Sequence, residues 1–167
     1  MIDIYEIVKC CLTSSFLRVF GNDLVSLVLY GSYARREARS DGDVDVIVVL
    51  ERILEDRFEL HKLLDNVEDN FWNCLAEHGV DRRPVISPVV LDRANARVFR
   101  PLYIDAVFDA EILYDKDGFM RSILEKVRKK LAKLGARRER IGKIWYVNLK
   151  PDYRFGEVID LSLEDDE

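Results

Sequence analysis

The sequence predicts one α/β domain, with helices packed on a small sheet. Segments with apolar residues at helical spacing alternate with short runs that are β-branched and apolar nearly throughout, the pattern of buried strands between covering helices. A chain of 167 residues, 49% hydrophobic and 34% charged, can bury one such core. It contains no repeat and no linker long enough to divide it.

The first element is a helix over 2–20, with Ile4, Ile7, Val8, Cys11, Leu12, Phe16 and Val19 on one face and Gly21-Asn22 as its stop. Leu24 to Tyr30 (LVSLVLY) reads as a strand covered on both faces, ending at Gly31-Ser32. After a polar stretch, Asp43 to Leu50 (DVDVIVVL) reads as a second strand. Its even positions Val44, Val46, Val48 and Leu50 form one apolar face, and its odd face opens with two carboxylates before turning apolar at Ile47 and Val49. A helix follows from about Leu54 to His78, with Leu54, Phe58, His61, Leu64, Phe71 and Leu75 inward and Gly79 as the stop.

Val85 to Leu91 (VISPVVL) is a third strand, and Pro88 suggests an edge position or a bulge. A helix over Phe99 to Asp109, a short strand Ile112 to Tyr114 and a turn at Asp115–Gly118 come next. Met120 to Leu134 is strongly amphipathic, with Ile123, Leu124, Val127, Leu131 and Leu134 opposite a basic face, and Gly135 ends it. A β-like piece at Ile144 to Leu149 leads into an irregular segment and an acidic tail.

Composition narrows the function. Cys10, Cys11 and Cys74 lack any metal-binding spacing and read as ordinary buried thiols of a reducing compartment. The N-terminus carries Asp3 and Glu6 with no basic leader, and no apolar run reaches the roughly 18 residues of a membrane span, so a cytoplasmic location without a membrane partner is expected. A net charge of −5 argues against a protein that coats nucleic acid. Between Lys116 and Lys143, however, eleven Lys or Arg face three Asp or Glu, a local +8 that leaves −13 for the remainder.

The chemistry concentrates at two places. Period two puts Asp43 and Asp45 side by side at the mouth of a buried strand, where like charges resist ionising together unless a cation neutralises them. Oxygen donors with no His or Cys nearby favour Mg²⁺ or Mn²⁺, and Mg²⁺ characteristically shares its shell between one or two carboxylates and a substrate phosphate chain. Gly31 lets backbone approach a phosphate without a Cβ, and Ser32 adds a hydroxyl and an N–H. Gly-Ser alone is weak; Gly31-Ser32, ten residues, then Asp43-Val44-Asp45 opening an apolar strand is a joint pattern.

The run GSYARREARSDGDVDVIVVL, Gly31 to Leu50, resembles the signature of minimal nucleotidyltransferases of the DNA polymerase β-like superfamily, Gly-Ser, ten residues, Asp-x-Asp, including the Tyr33-Ala34-Arg35 and Ser40-Asp41 elements of its small prokaryotic members. The flanking helix and strand order extends the match to about Asp92. The resemblance implies the nucleotidyltransferase fold, a small mixed twisted sheet packed against helices. The chain is expected to comprise a nucleotidyltransferase core over 1–115 and a basic amphipathic helix with C-terminal extension over 116–167, packed on the same domain. The resemblance also implies a nucleoside triphosphate donor, Mg²⁺ (or Mn²⁺) held by the catalytic Asp43 and Asp45, nucleotide binding by Gly31, Ser32 and Arg35, and transfer of a nucleoside monophosphate, with loss of pyrophosphate, to a hydroxyl acceptor left unidentified, for which a protein or RNA are the candidates. Two other readings come with it: an antitoxin-type regulator that adenylylates or binds a partner protein, and a non-catalytic nucleotide-binding relative.

Two departures stand out. Where small members usually have glycine after the arginine, this chain has Arg36, which could tighten the loop or add a phosphate contact. The third carboxylate, expected from the next strand, is missing: Val85 to Leu91 offers only the hydroxyl of Ser87, with Asp81 upstream and Asp92 downstream. Of the other candidates, His61 reads as a half-buried helix histidine and Asp105 and Asp109 as a solvated face. The basic residues Arg121, Arg128, Lys129, Lys130 and Lys133 read as a solvated helix face rather than a nucleic-acid track, since no stacking aromatics are interleaved. Trp145 and Tyr146 read as caps on the core. Donor, acceptor and oligomeric state are not legible.

Overall fold

A computed structural model describes residues 3–164. Helix α1 (Ile4–Phe20) starts where the Asp3 carboxylate accepts from the Tyr5 amide at 3.0 Å. Strand β1 (Leu24–Tyr30) leads directly into a single helical turn, α2 (Gly31–Ala34), and β2 (Val44–Leu50) follows. Helix α3 (Arg57–Glu77) is capped by Asp56, and β3 (Ile86–Asp92) ends in the short α4 (Arg93–Ala96). Then come α5 (Leu102–Asp109), β4 (Glu111–Asp115) and α6 (Phe119–Leu134), and a hairpin of β5 (Arg137–Ile141) and β6 (Ile144–Asn148).

The main sheet has the order β3-β2-β1-β4 and is mixed: β1 runs antiparallel to both β2 and β4, whereas β2 and β3 are parallel and joined through α3. Both faces are covered, which is why β1 and β2 read as nearly continuous apolar runs. Leu27, Leu29, Val44, Val46, Val48 and Leu50 pack with Ile7, Val8, Leu12 and Phe16 of α1 and Val67, Phe71 and Leu75 of α3. On the other face Val25, Val28, Ile47 and Val49 pack with Tyr103 and Ala106 of α5 and Met120, Ile123, Leu124, Val127 and Leu131 of α6. A register shift between Leu24 and Ser26 accounts for the slip in the inward and outward alternation of β1. Pro88 lies in an edge strand, as expected, where its missing N–H costs the sheet no hydrogen bond on the β2 side.

Several expectations need correction. Helix α3 begins at Arg57, because Asp56 caps it there, so Leu54 lies outside the helix and Phe58 falls in its first turn; they are 43% and 75% exposed rather than inward. His61 is exposed, not half-buried. Cys11 and Cys74, 63 residues apart, are joined in a disulfide between α1 and α3, and Cys10 is exposed. The residue adjacent to an inward Cys11 on a helix necessarily faces away. Strand β5, rich in arginine, gave no apolar pattern to read. Trp145 and Tyr146 sit on its partner strand and join neither core layer. Among the described residues no helix is long and apolar enough to cross a membrane.

Candidate functional site

The antiparallel pairing of β1 and β2 brings the end of one strand to the beginning of the other. Tyr30 lies directly opposite Asp45, so Gly31, the next residue, sits against the Asp45 side chain. Gly31 adopts φ +75°, and a Cβ built on it would overlap Oδ2 of Asp45 and stand 3.3 Å from its Cγ. Glycine is therefore required twice, by backbone conformation and by a carboxylate occupying the space a side chain would take. Asp45 is half-buried and Asp43, two residues nearer the mouth, is exposed. Burial pushes the Asp45 carboxyl above the usual carboxylate range, the charge of Asp43 pushes it further, and Arg35 partly opposes both. The pair is an anionic site without enough positive charge of its own.

The Gly31-Ser32 turn is held from behind. Tyr33 is buried in the α1 layer with its ring edge-on to Tyr5 at 6.1 Å, and the Glu37 amide donates to the Ser32 carbonyl at 2.8 Å. Arg36 has φ +61°, the conformation that glycine takes at no cost, which gives a physical reason for the glycine that small nucleotidyltransferases usually carry there. Its guanidinium pairs with Asp3 and Glu6 and lies over Tyr5, turned toward α1.

Arg35 stays by the carboxylates but is already engaged. It donates to Glu37 at 3.2 Å and to Asp109 at 3.4 Å. Asp109, expected on a solvated face, is instead almost enclosed: Arg138 grips both its oxygens at 2.5 Å and stacks on Trp145 at 4.1 Å. Arg140 adds a second cation over Trp145 at 4.9 Å and a 3.6 Å pair with Glu37. The basic hairpin is thus tied to the rim of the site. Asp105 remains exposed, as expected. Tyr30, not singled out from the sequence, is half-buried on the same side; burial foremost, then Asp45 and Asp105, raise its hydroxyl above the ordinary tyrosine value.

Parallel register puts Ser87 of β3 beside Asp45, on the same face. Among the described residues no third carboxylate joins Asp43 and Asp45 with ligand atoms within 4.8 Å of one another. Asp92 is paired with Leu50 at the far end of the sheet, where its side chain caps α4 by accepting from the Asn95 amide at 2.7 Å. Asp81 is exposed in the segment before β3. A cavity of about 800 Å³ lies by Arg97, Phe119, Lys126 and Leu163, near the strand ends remote from Asp45.

A family model described as nucleotidyltransferase domain matches residues 13–128, which include both strands and the whole Gly31 to Asp45 run. The chain belongs to the nucleotidyltransferase domain family. It is accordingly a transferase. A proposed protein adenylyltransferase of Methanocaldococcus jannaschii is 31% identical over 111 residues, 65% of this chain and 71% of that protein. Solved structures are similar more loosely. One is a chain from a Shewanella oneidensis complex of a tri-AMPylated HEPN toxin with MNT antitoxin, with 15% identity, 78% of this chain, 92% of that one and a TM-score of 0.40. Another is a proposed nucleotidyltransferase from Sulfolobus solfataricus, with 17% identity, 68% of this chain, 81% of that one and a TM-score of 0.38.

Proposed function

We propose that this nucleotidyltransferase moves AMP from ATP to a hydroxyl group of a protein acceptor, the acceptor oxygen bonding to the α-phosphorus as the bond to pyrophosphate breaks and the hydroxyl proton is lost to solvent, in a reaction that depends on Mg²⁺ or Mn²⁺. The observation that carries the reading is the contact of Gly31 with the Asp45 carboxylate beside Asp43, which sets a backbone free of side chain against an under-neutralised anionic pair. Two hard carboxylate donors, of which Asp45 has its ionisation opposed by burial and by the charge of Asp43, fit a divalent cation, and Asp43 and Asp45 would hold it. When bound, that ion supplies Lewis-acid stabilisation of charge developing on the α-phosphoryl group.

The chain's own residues do the rest. Gly31 and Ser32 offer backbone to the triphosphate, and Arg35, positioned by Glu37 and Asp109, offers a cation to the same phosphates. Buried Tyr33 fixes the turn that would present the Gly31-Ser32 backbone to the phosphates. Residues 1–115 would carry this machinery, with 116–167 as an extension packed on the same domain. ATP and a protein acceptor are favoured by the likeness to the Methanocaldococcus jannaschii protein and its name.

A second reading, a binding relative without transfer activity, is favoured by Ser87 standing beside Asp45 where a third carboxylate would complete the set. One experiment separates the two. Each of the four ribonucleoside triphosphates, labelled in the α-phosphate, is incubated with Mg²⁺ and the protein, with and without cell extract, using Asp45→Asn as the blank. Label from ATP that enters protease-sensitive material only when Asp45 is present supports transfer to protein. RNase-sensitive label overturns the choice of acceptor, and Asp45-dependent binding with no label transferred establishes the second reading.

A further inference from the structure

On the sheet face opposite Asp45, α1 and α3 bring together Cys11, Cys74 and His78, the one group among the described residues whose three metal-ligand atoms lie within 4.8 Å of one another. The two cysteines are joined in a disulfide with Cα atoms 5.6 Å apart. A disulfide needs no third group, yet Nδ1 of His78 stands 3.9 Å from both sulfur atoms. Cys74 and His78 are one helical turn apart, so both point toward Cys11. Around a tetrahedral zinc ion, with bonds of about 2.3 Å to sulfur and 2.0–2.1 Å to nitrogen, the sulfur to nitrogen edge is about 3.6 Å and the sulfur to sulfur edge about 3.8 Å. The imidazole is thus already near its ligand position, and the sulfurs need only part.

We propose that in the reduced protein Cys11, Cys74 and His78 bind a zinc ion, and that zinc and the disulfide are alternative states of one site. The charge balances: two thiolates and a neutral imidazole around Zn²⁺ make a neutral complex, which suits a place where Cys11 is fully buried. The cation also lies at the C-terminal end of α3, where the helix dipole favours positive charge; His78 Nδ1 now donates to the Cys74 carbonyl at 2.8 Å, a bond it gives up on ligating zinc, its proton then residing on Nε2. Exposed His78 leaves the fourth position open to water. Thiolate and imidazole donors are softer than the Asp43 and Asp45 oxygens, so this site selects zinc where the other selects Mg²⁺.

The interconversion is balanced. Two equivalents of a thiol reductant of the glutathione class reduce the disulfide to two thiols and are themselves oxidised to a disulfide. Binding of Zn²⁺ then displaces one proton from each cysteine. Oxidation by a peroxide runs the other way: two electrons leave the thiolate sulfurs, the disulfide forms, the peroxide takes up those electrons with two protons from solvent and its O–O bond breaks to give two waters, or an alcohol and a water, and Zn²⁺ is released.

The test uses the full chain, purified with reductant, given Zn²⁺, freed of excess by gel filtration, and assayed for metal. The expected result is about one zinc per chain, lost in Cys74→Ser and at least tenfold weaker in His78→Gln, and unchanged in Cys10→Ser and Asp45→Asn. Peroxide should release zinc in step with the loss of two titratable thiols. Cobalt(II) in place of zinc should give a thiolate charge-transfer band that the disulfide form lacks. If Cys74→Ser does not fold, His78→Gln, altered at an exposed side chain, carries the test. Reduced, folded protein with both thiols free and no bound zinc would overturn the proposal, as would zinc held equally well by His78→Gln.

Discussion

Alanine at position 31 tests the geometry of the carboxylate site with a single methyl group. Two separate costs follow from the structure. At φ +75° an L side chain is strained by about 1 kcal/mol. The new Cβ also meets Oδ2 of Asp45, so the carboxylate must retreat by about 1 Å to reach ordinary contact, and a displacement of that size among reacting groups costs about 10²-fold in rate. Gly135 separates the two costs: it has φ +71°, and a Cβ there meets nothing within 4 Å. Gly135→Ala should therefore lose stability by about the same 1 kcal/mol with transfer activity intact. Gly31→Ala should lose that stability and, in addition, about 10²-fold in AMP transfer and a comparable share of its Mg²⁺-dependent stabilisation. The assays are urea unfolding with and without Mg²⁺, and the α-labelled ATP transfer described above. Equal activity in the two alanine variants would refute the claim that Gly31 makes room for a working carboxylate.

Three other outcomes follow from the same contacts. Ser87→Asp places a third carboxylate beside Asp45, so it should lower the melting temperature without metal and enlarge the rise on adding Mg²⁺ relative to wild type; an unchanged response to Mg²⁺ would show that position 87 does not face the site. Asp109→Asn removes the charge that holds Arg138 and Arg35, and should cost about 2 kcal/mol and shift Trp145 fluorescence as the hairpin loosens; wild-type stability would mean that the clamp is ornamental. Hydrogen bonds from Arg93, and then from Lys116, hold the Glu51 carboxyl down at about 2, below its unfolded value, so its contribution to stability is complete above pH 4.5 and is lost as pH falls from there through about 2. Glu51→Gln should flatten the acid limb of the stability curve in that window, and an unaltered slope would refute the assignment.

Much of the site was legible because its signal is local. Gly31-Ser32 and Asp43-Val44-Asp45 flank two strands that are apolar enough to read as buried, and period two alone puts both aspartates on one face. The exposure of Phe58 and the exclusion of Leu54 were not legible in the same way: apolar spacing runs through them, and only the cap at Asp56 shows that α3 starts later. Asp109 misled for a related reason. Helical spacing cannot show that an arginine 29 residues away will bind it from a hairpin whose own first strand is nearly all charge.

The sequence by itself determined the fold class, the order of most elements and the placement of Asp43 and Asp45 on one strand face, because buried strands, helix faces and a glycine before a turn are dictated by neighbours along the chain. Tertiary structure alone decided which residues meet across it. The antiparallel register sets Gly31 against Asp45, the parallel register sets Ser87 beside Asp45, and the packing of α1 on α3 joins Cys11 to Cys74 beside His78. Those pairings are fixed by how layers stack and strands align, and such contacts leave no periodic trace in either of the segments that make them.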